Sequence, residues 1–233
     1  MVPEEIDNLT RTKLTEIFKY KSSQEDVQAI IDRGFVGAEF KKGKALFVGI
    51  NPSFPSDANN ESFLYDIDRA ITDYPKHYKS FGDLVVGTRY ENNWTYIDLF
   101  QFRETNQKKI ELFFKNDIQF IVEQLRLSHD IMCKINPEII VVCNTGAANF
   151  FGINKVNENG KFDNVWFGYD FVFDVRYGIH IIKERLAESI IEKKDETLIN
   201  TPVLFTSALT YMSRFDKQRL NWQLNLIGNR EIE

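Results

Sequence analysis

The residue best placed for chemistry is an amide at the end of an apolar run. In Lys44-Ala45-Leu46-Phe47-Val48-Gly49-Ile50-Asn51-Pro52-Ser53 the apolar residues suit a short strand buried on both faces. Gly49 removes a side chain where that strand ends, and Pro52 blocks further ladder pairing. Ligands of open α/β sheets sit at the carboxyl ends of the strands. Asn51 is therefore a site candidate, because its amide both donates and accepts but cannot serve as a strong base. The competing reading is a turn Asn that merely caps the next segment. Other chemistries lack their signatures: there is no GxSxG, no phosphate-cradling glycine loop and no zinc motif. His129 and His180 have no metal-ligand spacing to acidic or cysteine partners.

The elements that must hold this amide emerge from the hydrophobic pattern. Helical spacing runs through residues 3–33, with Leu9, Leu14, Ile17 and Phe18, then Val27, Ile30 and Ile31; Gly34 and Gly37 close it. This lead-in (1–40) is expected to pack on the main sheet. A strand is predicted at 44–50. Residues 51–92 read as a long irregular stretch with one short helix around 63–72, and such stretches are often functional. Trp94–Phe100 reads as the second strand and 106–134 as a helix ended by Pro137. Glu138–Cys143 reads as a third strand, β-branched through its centre. Thr145 is placed to cap a helix over 146–151 that closes at Gly152. Residues 153–180 predict antiparallel strands with a hairpin around Asp163 or Gly168, and 181–194 an amphipathic helix. Pro202–Phe205 is a last core strand, followed by a helix over 212–227. Strands alternating with helices imply a mostly parallel sheet covered on both faces.

Composition narrows the function. The chain has 233 residues, 43% of them hydrophobic, which suits one domain with a real core. A net charge of −5 argues against non-specific coating of nucleic acid, though not against a local basic groove. Two cysteines, Cys133 and Cys143, make no disulfide framework and read as buried thiols in a reducing compartment. The acidic N-terminus lacks a long apolar run, so a cytoplasmic protein without a membrane span is expected.

The block Gly49-Ile50-Asn51-Pro52-Ser53 resembles the first active-site motif of the uracil-DNA glycosylase superfamily. It is most similar to the branch of mismatch-specific uracil and thymine glycosylases, which has Gly-Ile-Asn-Pro-Gly there; Ser53 replaces the last Gly. Phe63 lies at the spacing of that family's stacking Phe. Tyr96-Ile97-Asp98-Leu99-Phe100-Gln101-Phe102-Arg103 looks like its second strand, ending in a base-reading residue. Asn136 to Ala148 is similar to its third strand and following helix, and Val203 to Ala208 sits where its closing motif belongs. The resemblance covers roughly 44–227. It implies an α/β fold, a three-layer α/β/α sandwich with a mostly parallel sheet; the helical lead-in lies outside the resemblance and is read as part of the same single domain, 1–233. The departures are specific. Thr206-Ser207-Ala208 has neither the His nor the Pro of the closing motif, and two cysteines exclude the four-cysteine iron–sulfur cluster of some branches.

The implied reaction is hydrolysis of an N-glycosidic bond, with no cofactor and no metal, on an extruded damaged or mismatched base in DNA. Asn51 would place the water, with Thr206 and Ser207 as weak hydroxyl donors, alongside Thr210, to the leaving anion. Gly49, Ile50, Phe63 and Asp98 would hold the base, and Phe54 is a second stacking candidate. An ionised Asp98 only accepts, so it would favour a base edge presenting N–H donors over intact uracil. Ser53, His77, Arg214 and Lys217 would touch the backbone, with Arg219 and the run Lys41, Lys42, Lys44 as further cations. The alternative is a monomeric protein of this fold that binds a nucleobase or nucleic acid without excising it.

Overall fold

The computed structural model describes residues 2–156, 159–160, 164–191 and 196–229. The chain opens with α1 (Pro3–Ile17), whose Pro3 needs no N–H partner and whose Glu4 and Glu5 suit the positive helix end. Helix α2 (Glu25–Ile31) buries Val27, Ile30 and Ile31. A short strand β1 (Val36–Ala38) pairs in parallel with β3 (Phe63–Tyr65) as a separate two-stranded sheet.

The main sheet has six strands among the described residues, in the order β4-β2-β5-β8-β7-β6. Strands β2 (Ala45–Gly49), β4 (Trp94–Asp98), β5 (Ile139–Val142) and β8 (Pro202–Phe205) are mutually parallel. The hairpin β6 (Tyr169–Asp174) and β7 (Ile179–Arg185) adds two antiparallel strands beyond β8. Alternation sorts the side chains. Leu46, Val48, Ile140, Val142 and Val203 pack in one core with residues of α1, α2, α6 (Ile118–Ile135) and α7 (Thr145–Phe151). Ala45, Phe47, Tyr96, Val141 and Leu204 pack in a second core with α3 (Ile67–Asp73), α4 (Pro75–Val85) and α8 (Arg214–Gly228). Burial on both faces is why β2 and β5 read as continuous apolar runs. A 3-10 helix, Gln107–Leu112, and the short α5 (Phe113–Asn116) lead into α6. Asn136, left-handed at φ 50°, ends α6 just before Pro137.

Four local expectations are corrected. The stretch 51–92 is more regular than predicted: Phe63–Tyr65 is a strand, the short helix starts only at Ile67, and α4 comes next. Pro75 sits at the start of α4, where its missing N–H costs nothing. Asn144, not Thr145, caps α7, its side chain accepting from the N–H groups of Gly146 and Ala147. The segment expected as a helix from 181 is strand β7, with 192–194 outside the described residues. The hairpin turns at 175–178, not at Gly168; Asp163 lies outside the described residues.

Candidate functional site

From β2 the chain moves to β4 on one side, then returns across β2 to β5 on the other. The β2–β4 connection carries α3 and α4, on the second core; the β4–β5 connection carries α6, on the first. The carboxyl end of β2 is therefore the point where the connections diverge, the place where open α/β sheets bind ligands. Asn51 lies just past it.

The loops after β2 and β4 are zipped together. Phe100 N–H donates to Ile50 C=O at 2.9 Å and Glu104 N–H to Pro52 C=O at 3.0 Å. The Thr105 hydroxyl meets both backbone groups of Phe54. Within this frame the Asn51 Nδ2 donates to the carbonyls of Pro52 (2.9 Å) and Glu104 (2.7 Å). Those two bonds fix which way the amide faces. Its Oδ1 is buried and finds no hydrogen-bond partner among the described residues. A buried acceptor left over is a group that a solvent molecule or a ligand N–H completes.

Asp98 stands opposite Gly49 in the β2–β4 register. A Cβ on Gly49 would lie 2.1 Å from the Tyr96 hydroxyl and 2.3 Å from Asp98 Oδ1. The glycine thus makes room for a carboxyl that is only 5% exposed. Tyr96 Oη donates to Asp98 Oδ1 at 2.7 Å. Burial pushes the Asp98 pKa up to about 7, the Tyr96 hydrogen bond working against it. Around the carboxyl stand two more phenols, Tyr65 and Tyr78, whose hydroxyls lie 2.8 Å apart; burial raises both of their pKa values, and the Asp98 charge adds to the rise. No ion pair reaches Asp98 among the described residues.

A second acid in the same corner is treated in the opposite way. Glu104 pairs with Arg33 at 2.8 Å and lies 3.5 Å from Lys109. Burial opposes its charge, but the Asn106 N–H, the Arg33 hydrogen bond and the two cations hold its pKa below the ordinary value. Arg33 and Arg103 both lie over the Phe54 ring, at 4.6 and 4.9 Å. Arg103 Nη1 donates to Asn59 C=O, while its buried Nε finds no partner among the described residues. Phe54 is thus engaged by guanidinium groups.

The remaining sequence-predicted residues are spread around this corner and beyond it. Ile50 is buried in the first core, its Cδ1 next to the start of α7. Phe63 is half-buried on β3, and alternation puts it on the same side as Tyr65, whose hydroxyl bonds Tyr78. Thr206 donates its backbone N–H to Val142 C=O, extending the sheet, and Ser207 is exposed just beyond. Ser53 is exposed. His77, on the first turn of α4, has its ring edge-on to Tyr78, Phe81 and Tyr96; the desolvation lowers its pKa. Arg214 and Lys217 start α8, capped by Ser213. Gly49, Asp98 and Thr206 share one edge of the sheet, with Asn51 in the loop leaving it. The sequence reading missed Tyr65, Tyr78, Tyr96, Arg33, Arg103 and Glu104. Only the Tyr96–Asp98 spacing, period two within a strand, carried a local signal.

Cys143 is buried, which pushes its thiol pKa up, and Cys133 is half-buried beside the His129 ring. A groove of about 480 Å³ lies at Lys41, Asp68, Ile71, Val85, Val86 and Trp94, away from Asn51 and Asp98; of the candidate residues it holds Lys41 alone, which pairs with Asp68. No helix among the described residues is long and apolar enough to cross a membrane. No group of three or more metal-ligating side chains occurs among the described residues. The sequence matches no protein-family model and no curated protein.

Proposed function

We propose that this chain is a divergent, single-domain protein of the uracil-DNA glycosylase superfamily, a three-layer α/β/α sandwich acting in the cytoplasm as a monomer. It hydrolyses the N-glycosidic bond of an extruded damaged or mismatched base in DNA. The observation that carries this reading is the free Asn51 Oδ1 at the point where the connections diverge, on an amide whose Nδ2 is already tethered twice. Such an oxygen accepts one hydrogen bond from a water and aims that water's lone pair at the anomeric carbon. The water oxygen bonds to C1′ and the C1′–N bond breaks. The electron pair leaves on the base, and a water proton passes through solvent to the products. Positioning supplies the catalysis, because an amide cannot take that proton.

Asp98 sets the edge that the base must present. Protonated, it offers both a donor and an acceptor, as an Asn would; ionised, it only accepts. With a pKa of about 7 both forms are populated at neutral pH. Phe63, on the same side as the phenols, supplies the stacking face.

A second reading, binding without excision, is favoured by one observation. The Thr206 N–H just after β8 is consumed by Val142, so neither an imidazole nor that amide is free to stabilise a leaving anion. An excision assay decides between them. Oligonucleotides carrying uracil, hypoxanthine, xanthine or mismatched thymine are incubated with the wild type and with Asn51→Ala. Released base that falls at least ~100-fold in Asn51→Ala supports hydrolysis. Binding without released base under single-turnover conditions selects the second reading.

A further inference from the structure

Helix α8 carries an exposed stripe that the core does not explain. Leu220, Leu224 and Ile227 face the second core. On the other side Phe215 is 82% exposed and Trp222 58%, and Tyr211, just before the helix, is 89% exposed. Phe215 and Trp222 are seven residues apart, two turns, so they share one face about 10 Å apart along the axis. None of these three rings meets another ring among the described residues. Three large aromatics left in water within the segment 211–222 are costly without a partner.

The surroundings define that partner. Helix α4 packs against both α8 and the 3-10 turn Leu209–Tyr211. Asn221 Nδ2 ties the two helices by donating to the carbonyls of Leu84 and Val86. The first turn of α4 adds Tyr74, 67% exposed, and its lysines. Segments 73–83 and 209–222 together carry five cations, Lys76, Lys79, Arg214, Lys217 and Arg219, against three acids, Asp73, which pairs with Arg69, Asp83 and Asp216, in a chain of net charge −5. Asp216 is occupied by its cap bond to Ser213, and Lys76, Lys79, Arg214 and Lys217 form no ion pair among the described residues. On α8 Arg214 and Arg219 flank the face that carries Phe215 and Trp222, whereas Lys217 lies round toward the core side; cations beside flat rings match a strand of phosphates and unstacked bases. The excess of cations over acids in these segments argues against a protein partner, whose interfaces are depleted of lysine.

We propose that Tyr211, Phe215 and Trp222, with the cations of α8 and the first turn of α4, form a stacking track for single-stranded nucleic acid. The track begins just after the carboxyl end of β8, the edge of the sheet that also carries Asn51 and Asp98. It deepens the glycosylase reading by narrowing it to a damaged base in an unpaired strand, in place of a mismatched base, which exists only in duplex, and it rests on that reading only for its purpose, not for its chemistry.

The test is anisotropy of a fluorescein-labelled 15-mer oligothymidylate, with the same strand in duplex as comparison, at two salt concentrations. Wild type should bind the single strand more tightly than the duplex and lose affinity with salt. Phe215→Ala and Trp222→Ala should each weaken it by roughly 5- to 150-fold. Phe215→Tyr and Trp222→Phe should retain it, and circular dichroism checks that all four fold. Trp222 fluorescence should be quenched on binding. Affinity unchanged in both alanine variants, a preference for duplex, or a dimer in sedimentation that Trp222→Ala dissolves would overturn the proposal. The excision assay keeps the two readings apart. Absence of released base with stacking intact removes only the glycosylase. Excision by the wild type with oligothymidylate binding unmoved by both alanine variants removes only the track.

Discussion

Replacing Asp98 by Asn tests the electrostatics of the site without touching its shape. The carboxyl is held in a buried pocket with one hydrogen bond, from Tyr96, and its pKa rises from the ordinary 3.8 to about 7. A rise of that size corresponds to ~4 kcal/mol. Proton binding sets the sign. Between those two values the folded protein binds more protons at Asp98 than the unfolded chain, so the stability it contributes is complete below pH ~4 and is lost as pH rises to ~7. Asn carries no charge, so Asp98→Asn lacks that slope. Its Oδ1 still accepts from Tyr96, while its added N–H groups cost roughly 1–2 kcal/mol if left unpaired, at every pH alike. The variant should therefore be more stable than the wild type by roughly 2–4 kcal/mol at pH 8, and equal or slightly less stable at pH 4. Urea unfolding followed by circular dichroism at half-unit pH intervals measures this. The other titrating groups are shared and cancel in the difference. A difference that stays flat within ~1 kcal/mol from pH 4 to 8, or grows toward acid, refutes the buried, unpaired carboxylate.

Two further substitutions probe the same corner. Gly49→Ala should cost roughly 1–3 kcal/mol in denaturant unfolding, because its Cβ meets Tyr96 and Asp98 within 2.3 Å; a neutral result would show that the carboxyl does not lie against β2. Glu104→Ala leaves the Arg33 guanidinium half-buried without its partner and should cost roughly 3 kcal/mol at pH 7. The Glu104 pKa is depressed, so this loss should fade as pH falls below ~4, and a cost independent of pH would count against the ion pair.

Three of the parallel strands, β2, β5 and β8, were legible because each is apolar throughout, the pattern left by burial on both faces; β4 carries Thr95 and Asp98 among its apolar residues. Helix α4 was hidden by its first turn, Pro75-Lys76-His77-Tyr78-Lys79, which reads as a polar loop; Phe81, Leu84 and Val85 come too late to establish a period. Strand β7 misled in the opposite direction. From 181 on, its residues Ile181, Ile182, Lys183, Glu184 and Arg185 run two apolar and then three charged, which lacks the strict alternation of a half-covered strand. Within the site, Asn51 could be singled out from Gly49 and Pro52, but not what holds it. Its main partner is the backbone carbonyl of Glu104, 53 residues on, and a backbone group leaves no trace in residue types. The Arg33–Glu104 pair is equally silent, since its halves lie 71 residues apart.

The contrast between the two acids of this corner bears most directly on function. Glu104 is buried and compensated: two cations and a backbone N–H surround it, and it holds the loop that tethers Asn51. Asp98 is buried as deeply, yet it is surrounded by phenols and no cation, with one hydrogen bond from Tyr96, and the chain gives up a side chain at position 49 to let it in. A carboxyl kept for stability would resemble Glu104, because an unpaired one is less stable than almost any neutral residue in its place. Perturbed groups of this kind gather where a protein trades stability for chemistry. The strand-end alignment of Gly49 with Asp98 therefore argues for a ligand at this edge on grounds separate from the Gly-Ile-Asn-Pro motif. A ligand that meets Asp98 with a hydrogen-bond donor supplies the partner that the fold withholds.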